Sequence, residues 1–492
     1  MKKKDIYLYC TLTLLFTGTA CNKFLDLNPI SVATSSNAYV SAGDAEAALT
    51  GVYNSFTAME YYVWDNINFS DVMSDNYYAG GDDAEIYAID NLELTPVNSR
   101  IYQNWGEMYD AIKKANVVIQ QTPEIADPKL DIDNRRNQII GEASFLRALH
   151  YYQLVKAFGG VPIVTEPVSS LDPGETQIPK STEEEVYEQI VSDLTVAMEN
   201  LPDSYGNAAN VNKARATKGA ANALMAKVSA QRPNRDYNKV LEHANAVISS
   251  PANYSLIPFP DLFDGAHYNN AESIMEVQYL GGNYANWGPQ MLLPPSISGD
   301  SWRKFVTPSK DLVKAFDDEG DEIRKNASIL FENVEWTDEF WSINTGGSVP
   351  FAYKWKSANG WASTNRQYIL RLGDIVLLKA EALNELDRPA EALEALNEIR
   401  QRVSLDPVTT TDKAALRLAI EKERRLELCQ EAQRWDDLKR YGRALAVMNG
   451  LNEIDLRTNR RKEYNMQEYK LLLPFPQNEL NRNPNLVQNP GY

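Results

Sequence analysis

Five aromatic side chains, Trp64, Tyr77, Tyr284, Trp287 and Trp302, each have polar or glycine neighbours in the chain, where a ring can stay free to meet a ligand. A flat ring offers an apolar face to the C–H face of a sugar, while nearby amides and carboxylates take the hydroxyls. Trp, Tyr, Asn and Asp, the residue types crowded into these stretches, suffice to build such a platform. For any single ring the competing reading is burial in the core, so the set carries more weight than its members.

Catalytic signatures are missing. The chain has no HExxH, no GxSxG, no P-loop and no GxGxxG after a strand. His150, His243 and His267 are too widely spaced for a histidine-based metal site, and His150, in a helical run beside Tyr151, reads as a satisfied core histidine. The 67 acidic residues offer many carboxylate pairs but no signature of glycoside hydrolysis, which stays open as a lesser alternative. The run Asp317-Asp318-Glu319-Gly320-Asp321-Glu322 lacks the alternating ligands of a calcium loop and reads as a solvated loop. A non-enzymatic protein without cofactor or metal is the expectation.

Cys21 carries a different chemistry. Lys2, Lys3 and Lys4 precede an apolar run from Ile6 to Phe16, and Gly18-Thr19-Ala20 lead into the thiol. That order is an export signal, and a cysteine directly after the small residues marks a bacterial lipoprotein, lipidated on Cys21. The run is about eleven residues where a spanning helix needs roughly 20, so residues 1–20 read as a cleaved signal. Gly18 departs from the leucine usual three residues before the cysteine, and ordinary cleavage leaving a free thiol is the alternative. Cys10 leaves with the signal, so Cys429 remains alone and no internal disulfide is expected. Beside Leu426 and Leu428 it reads as a buried core thiol.

With 43% hydrophobic and 24% charged residues the composition is that of a globular protein, and the formal charge is -18, falling to about -20 once the signal is removed. This balance disfavours nucleic acid and anionic membrane surfaces as partners. Residues 21–42 read as a flexible tether that, fully extended, reaches roughly 65 Å. Residues 43–492 form the body.

Helical periodicity dominates the body. Helices are expected at about 43–57, 101–121, 133–157, 181–200, 213–231, 236–249, 367–386, 389–404, 411–431 and 433–447. Thr182 and Glu185 form a capping box, and Asp387-Arg388-Pro389 breaks two antiparallel helices. Ala380, Leu383, Ala392, Leu396 and Ile399 alternate small and large residues at tetratricopeptide-like intervals, and Ala223, Ala226, Tyr237, Val240, Ala244 and Val247 do so more loosely. A helical scaffold at about 43–250 and 365–450 is thus interrupted by a loop-rich insertion at about 251–364. That insertion holds six of the nine tryptophans: Trp287, Trp302, Trp336, Trp341, Trp355 and Trp361. The stretch 61–109 has a similar irregular, aromatic-rich look.

Several segments resemble one family, the SusD/RagB nutrient-binding outer-membrane lipoproteins of Bacteroidetes. They are Cys21-Asn22-Lys23-Phe24-Leu25-Asp26, then Gly141-Glu142-Ala143-Ser144-Phe145-Leu146-Arg147-Ala148 running on to Phe158-Gly159-Gly160-Val161-Pro162, and Glu423-Arg424-Arg425-Leu426-Glu427-Leu428 followed by Arg434-Trp435-Asp436-Asp437-Leu438. The tail is the most specific, from Leu473-Pro474-Phe475-Pro476 through Asn483-Pro484-Asn485-Leu486 to Gln488-Asn489-Pro490-Gly491-Tyr492. Gln430 stands where the family often has an aromatic. The resemblance implies a mainly α SusD-like fold, with four tetratricopeptide-like helix pairs supporting an irregular ligand-binding half and a tail packed back on the body. It implies a SusC-like TonB-dependent transporter as partner, with the lipoprotein as its lid on the outer face of the outer membrane. The ligand it implies is an oligo- or polysaccharide, with a peptide as the alternative. The motifs are scaffold, so no ligand residue is carried over, and the Arg/Glu-rich helix is expected to pair at i,i+4.

Overall fold

A computed structural model describes residues 39–168, 170, 172–343 and 346–492. The signal, Cys21 and nearly all of the tether lie outside the described residues. The first helices form where the apolar period is 3.6 residues, and in all but the third a polar side chain caps the start. They are α1 (Ala42–Tyr53), α2 (Ser99–Gln121), α3 (Arg135–Phe158), α4 (Glu183–Asn200), α5 (Lys218–Gln231) and α6 (Tyr237–Ile248). Ser41 and Thr182 each make a capping box, with Asp44 and Glu185 respectively. Later in the chain come α7 (Lys310–Glu319), α8 (Leu372–Glu385), α9 (Pro389–Arg402), α10 (Lys413–Leu428) and α11 (Arg434–Arg440).

Each long helix packs on its neighbour, α1 on α2, α2 on α3, α3 on α4, α4 on α5, α5 on α6, α6 on α8, and α8 on both α9 and α10. Small residues set the close approach: Ala223, Ala226 and Ala244 in one pair, and Ala380 and Ala392 in another, are all fully buried. The result is a stack in which α3 is enclosed on nearly every side from Gly141 to Tyr152. Charged groups inside it are paired, Arg147 with Asp193 at 2.6 Å and Glu142 with both Arg135 and Arg215. His150 is fully buried between Ser55 Oγ and the Tyr61 hydroxyl, and burial pushes its pKa down to about 3.

Short antiparallel pairs hold the rest together. Strand β1 (Tyr77–Tyr78) pairs with β3 (Thr307–Pro308), β2 (Ser273–Val277) with β6 (Gln367–Arg371), and β4 (Ile329–Asn333) with β5 (Ser348–Ala352). The tail returns to α3: Phe475 stacks on Phe158 at 5.9 Å, and Asn489 Nδ2 donates to the Phe158 carbonyl.

Three local expectations are corrected. Residues 367–371 are strand β6, because their backbone pairs antiparallel with β2 before the helix begins. The run expected as one helix over 433–447 breaks at Gly442, whose φ of 66° stops α11 before a separate helix at Ala444–Gly450. The acidic run from Asp317 is no loop: it ends α7, turns at Gly320 and caps the helix Glu322–Ser328 through a buried Asp321.

The acid–base pairs of α10 also differ from the i,i+4 expectation. The helix is buried, so its charges reach across to other elements. Glu427 accepts from Arg371 at 2.7 Å, from Arg324 at 3.1 Å and from Arg402. Arg424 pairs with Asp374 and Asp437, and Arg425 with Asp75 and Asp311. These pairs tie the loop-rich segments to the stack.

Candidate functional site

Five separated segments, one of them contributing Glu85 alone, meet at an open groove of about 510 Å³. The first runs through two π-helical turns, Met59–Val63 and Asn68–Val72, and sets Met59, Glu60 and Trp64 on one wall. The second is the start of α2, where Asn98 caps the helix through the Arg100 and Ile101 amides and turns Ser99, Arg100 and Gln103 toward the groove. Trp287 and Met291 come from a short helix after Asn286, and Trp361 from a loop.

The Trp287 segment is pinned by Asn286, whose Oδ1 accepts from the Gly288 amide and whose Nδ2 donates to the Asn365 carbonyl. Gly288 is required by packing, since a Cβ there would stand 2.8 Å from the Trp355 ring. Across the groove Asn359, Gly360 and Trp361 have successive positive φ values of 48°, 55° and 72°. Left-handed backbone is costly for a bulky residue and is sustained only where surrounding bonds impose it. Here the Ala362 backbone amide donates to the Asn359 carbonyl, and the Asn359 side-chain Nδ2 donates to the Ala362 carbonyl. The Trp361 side chain is left 47% exposed at the mouth, beside a 49% exposed Met59.

The rings named from the sequence take different places. Trp64 and Trp287 pack at 6.1 Å, and the aromatic chain continues from Trp64 to Phe305 at 6.0 Å and from Phe305 to Trp302 at 5.6 Å. Trp287 is half-buried and lines the groove. Trp64 is 1% exposed and backs the wall from the core. Trp302 lies at the far end of the chain, with the Lys304 ammonium 3.6 Å from its ring centroid. Tyr284 stands exposed on a hairpin closed by a bridge to Gly281, which runs beside the 362–364 segment. Tyr77 is a correction: it is 1% exposed, in the small core with Ile67, Leu312 and Phe316, because β1 is covered by α7 and α10. Cys429 is buried in the same core with its thiol near the Leu426 carbonyl, and burial pushes its pKa up.

Trp361 also lines the groove, and although Gly360 precedes it, it is not among the five rings chosen from the sequence. Its sequence signal is the preceding Asn359-Gly360, a pair suited to left-handed turns.

The groove's polar side is acidic. Arg100 is held between Asp65 at 2.9 Å and Asp83 at 2.6 Å. Burial lifts the Asp65 carboxyl to about 6 despite that partner. Glu85 accepts from the Ser99 amide and hydroxyl. Elsewhere among the described residues, the groups nearest to a metal-ligand set are Asp261, Asp264 and His267, on the surface. There Asp264 is already engaged by the Ala266 and His267 amides and by the His267 ring.

A model described as "SusD family" matches residues 332–492, and one described as "Starch-binding associating with outer membrane" matches 23–229. The chain belongs to the SusD/RagB family. It is 27% identical to SusD-like protein P2 of Formosa agariphila, over all of both chains. A SusD-like protein of Bacteroides ovatus is 24% identical over 90% of this chain and 83% of its own. A solved structure described as a laminarin binding SusD-like protein superposes with TM-score 0.74 at 26% identity, covering 92% of this chain and 100% of the other. A SusD homolog from Bacteroides thetaiotaomicron gives TM-score 0.78 at 24% identity over 94% and 99% of the two chains. The mainly α SusD-like fold expected from the sequence is the fold found.

Proposed function

We propose that this protein captures a glycan without catalysing its breakdown and hands it to a SusC-like TonB-dependent transporter in the outer membrane, to which it is tethered by lipid on Cys21. The observation that carries the ligand half is the groove in which Trp287 and Trp361 face open space while acceptors and amides stand beside them. Rings of this kind cover the C–H faces of sugars, and the carboxylates and Gln103 take hydroxyls. Family membership and the laminarin-binding relative support the ligand class. Transporter and anchor rest on the family and on the signal before Cys21.

Affinity electrophoresis through gels holding individual polysaccharides tests the reading. The parent is retarded by at least one glycan, and Trp287→Ala loses most of that retardation with its circular dichroism unchanged. Trp302, outside the groove and capped by Lys304, changes little as Trp302→Ala. A parent retained by peptides and by no polysaccharide overturns the glycan reading in favour of the peptide-binding one.

A further inference from the structure

The groove joins apolar walls to an uncompensated negative charge. Glu60 is half-buried on the wall beside Trp64, and among the described residues no hydrogen bond or ion pair engages its carboxylate. Glu85 adds a second negative group. Arg100 is the basic residue of the lining, and its charge is already shared by Asp65 and Asp83. With all five ionised, these groups leave three net negative charges, and the indole and thioether walls limit the water available to screen them.

A glycan bearing uronate carboxylates or sulfate esters needs free cations or unspent donors to bind, and would meet Glu60 instead. An uncharged glycan gains from the same group, because a carboxylate only accepts and sugar hydroxyls donate to it in charge-assisted bonds. We infer that the groove takes an uncharged glycan and that Glu60 is the residue that turns acidic glycans away. This inference rests on the glycan-capture reading and adds to it a ligand class and a residue that selects it.

The test runs the full mature protein in gels of laminarin, starch or a neutral mannan, and in gels of alginate or carrageenan. The parent is retarded by a neutral glycan and by neither acidic one at low salt. Glu60→Gln gains affinity for the acidic glycans of about tenfold, and Glu60→Lys more, the scale expected for one unit charge about 6 Å away at an effective dielectric of about 40. Both gains shrink in about 0.5 M salt. Both variants keep the parent's circular dichroism, and Glu60→Gln weakens retention on the neutral glycan by a few fold, because its amide oxygen accepts a hydroxyl without charge assistance. A parent retarded by alginate, with the retardation lost in Trp361→Ala, overturns the charge filter while leaving glycan capture standing. Variants that gain nothing on acidic glycans overturn the role of Glu60. A parent retarded by no glycan at all overturns the capture reading, and the filter with it.

Discussion

Replacing Trp361 by Ala and by Gly separates what this ring does for the fold from what it does for the ligand. At φ 72° an L-residue pays about 1–2 kcal/mol for left-handed backbone, and Ala keeps that cost. Glycine removes it but loses about 0.5–1 kcal/mol of chain entropy on folding. Both variants lose the same indole contacts, so the difference between them isolates the backbone. The Gly variant is expected to be the more stable by about 0.5–1 kcal/mol, the reverse of the order in regular structure. Urea unfolding followed by tryptophan fluorescence, fitted with a shared slope, resolves this gap. Binding follows the opposite logic. A tryptophan side chain covers about 150–250 Å² when fully buried, and 47% of this one is exposed, leaving roughly 100 Å² for a sugar face. At about 25 cal/mol per Å² that area is worth about 2.5 kcal/mol, or roughly seventyfold in affinity. Ala and Gly should lose this equally, measured by calorimetry on the best-retained glycan. An Ala variant as stable as the Gly variant would show that no backbone strain is held at 361. Affinity within twofold of the parent in both would remove the ring from the site.

Glu427→Gln keeps the shape of the side chain but strips the counter-charge shared by Arg324, Arg371 and Arg402. Stability should fall by about 3–5 kcal/mol, read from the urea midpoint at pH 7, and a loss under about 1 kcal/mol would contradict the pairing described. The same residue sets a direction with pH. The arginines hold its carboxyl well below the usual range, so its contribution is complete above about pH 4.5 and disappears as pH falls through the depressed folded value. The parent should therefore lose more stability on acidification than the variant does. For the anchor, Cys21→Ala should abolish radioactive palmitate incorporation and release the protein from membranes, whereas labelling that survives the change would place the lipid elsewhere.

The helical stack was legible because its information is local. Apolar residues recur at the helical period, Thr182 and Glu185 sit at capping-box spacing, and Ala380, Leu383, Ala392, Leu396 and Ile399 mark a closely packed pair. Strand β6 was misread because Gln367–Arg371 is too short to show its own period and runs directly into a helix. Tyr77 was misread because flanking Asn and Asp report chemical neighbours, while burial is decided by α7 and α10, far along the chain. The groove itself could not be assembled from local signals. Met59, Arg100, Trp287 and Trp361 belong to separate segments, only one of them a long helix, and their meeting depends on polar bonds such as Asn286 to Asn365 that no periodicity announces. The partners of α10 were hidden for the same reason: acidic and basic residues at i,i+4 look self-sufficient until the helix is known to be enclosed.

The two halves of the structure have different mechanical duties, and the buried charges connect them. A ring that is half-exposed on left-handed backbone holds its place only if its surroundings are rigid, since a soft loop would relax and let the indole collapse. The Trp361 loop is followed by Asn365 and then by β6, which ends in Arg371, where Glu272, Glu427 and Glu431 converge. From Glu427 the ties continue to Arg324 and Arg402, and so to α9 and α10 of the stack. Binding to a pre-ordered ring avoids the cost of ordering a loop at the moment of capture, so a small contact area still yields useful affinity. The same small area limits that affinity, which suits a protein that must release its cargo. A variant that loosens the charge network without touching the groove, such as Glu427→Gln, should therefore weaken glycan retention as well as stability at temperatures where the fold persists. Retention equal to the parent's under those conditions would show that the loop is held by its own turn alone.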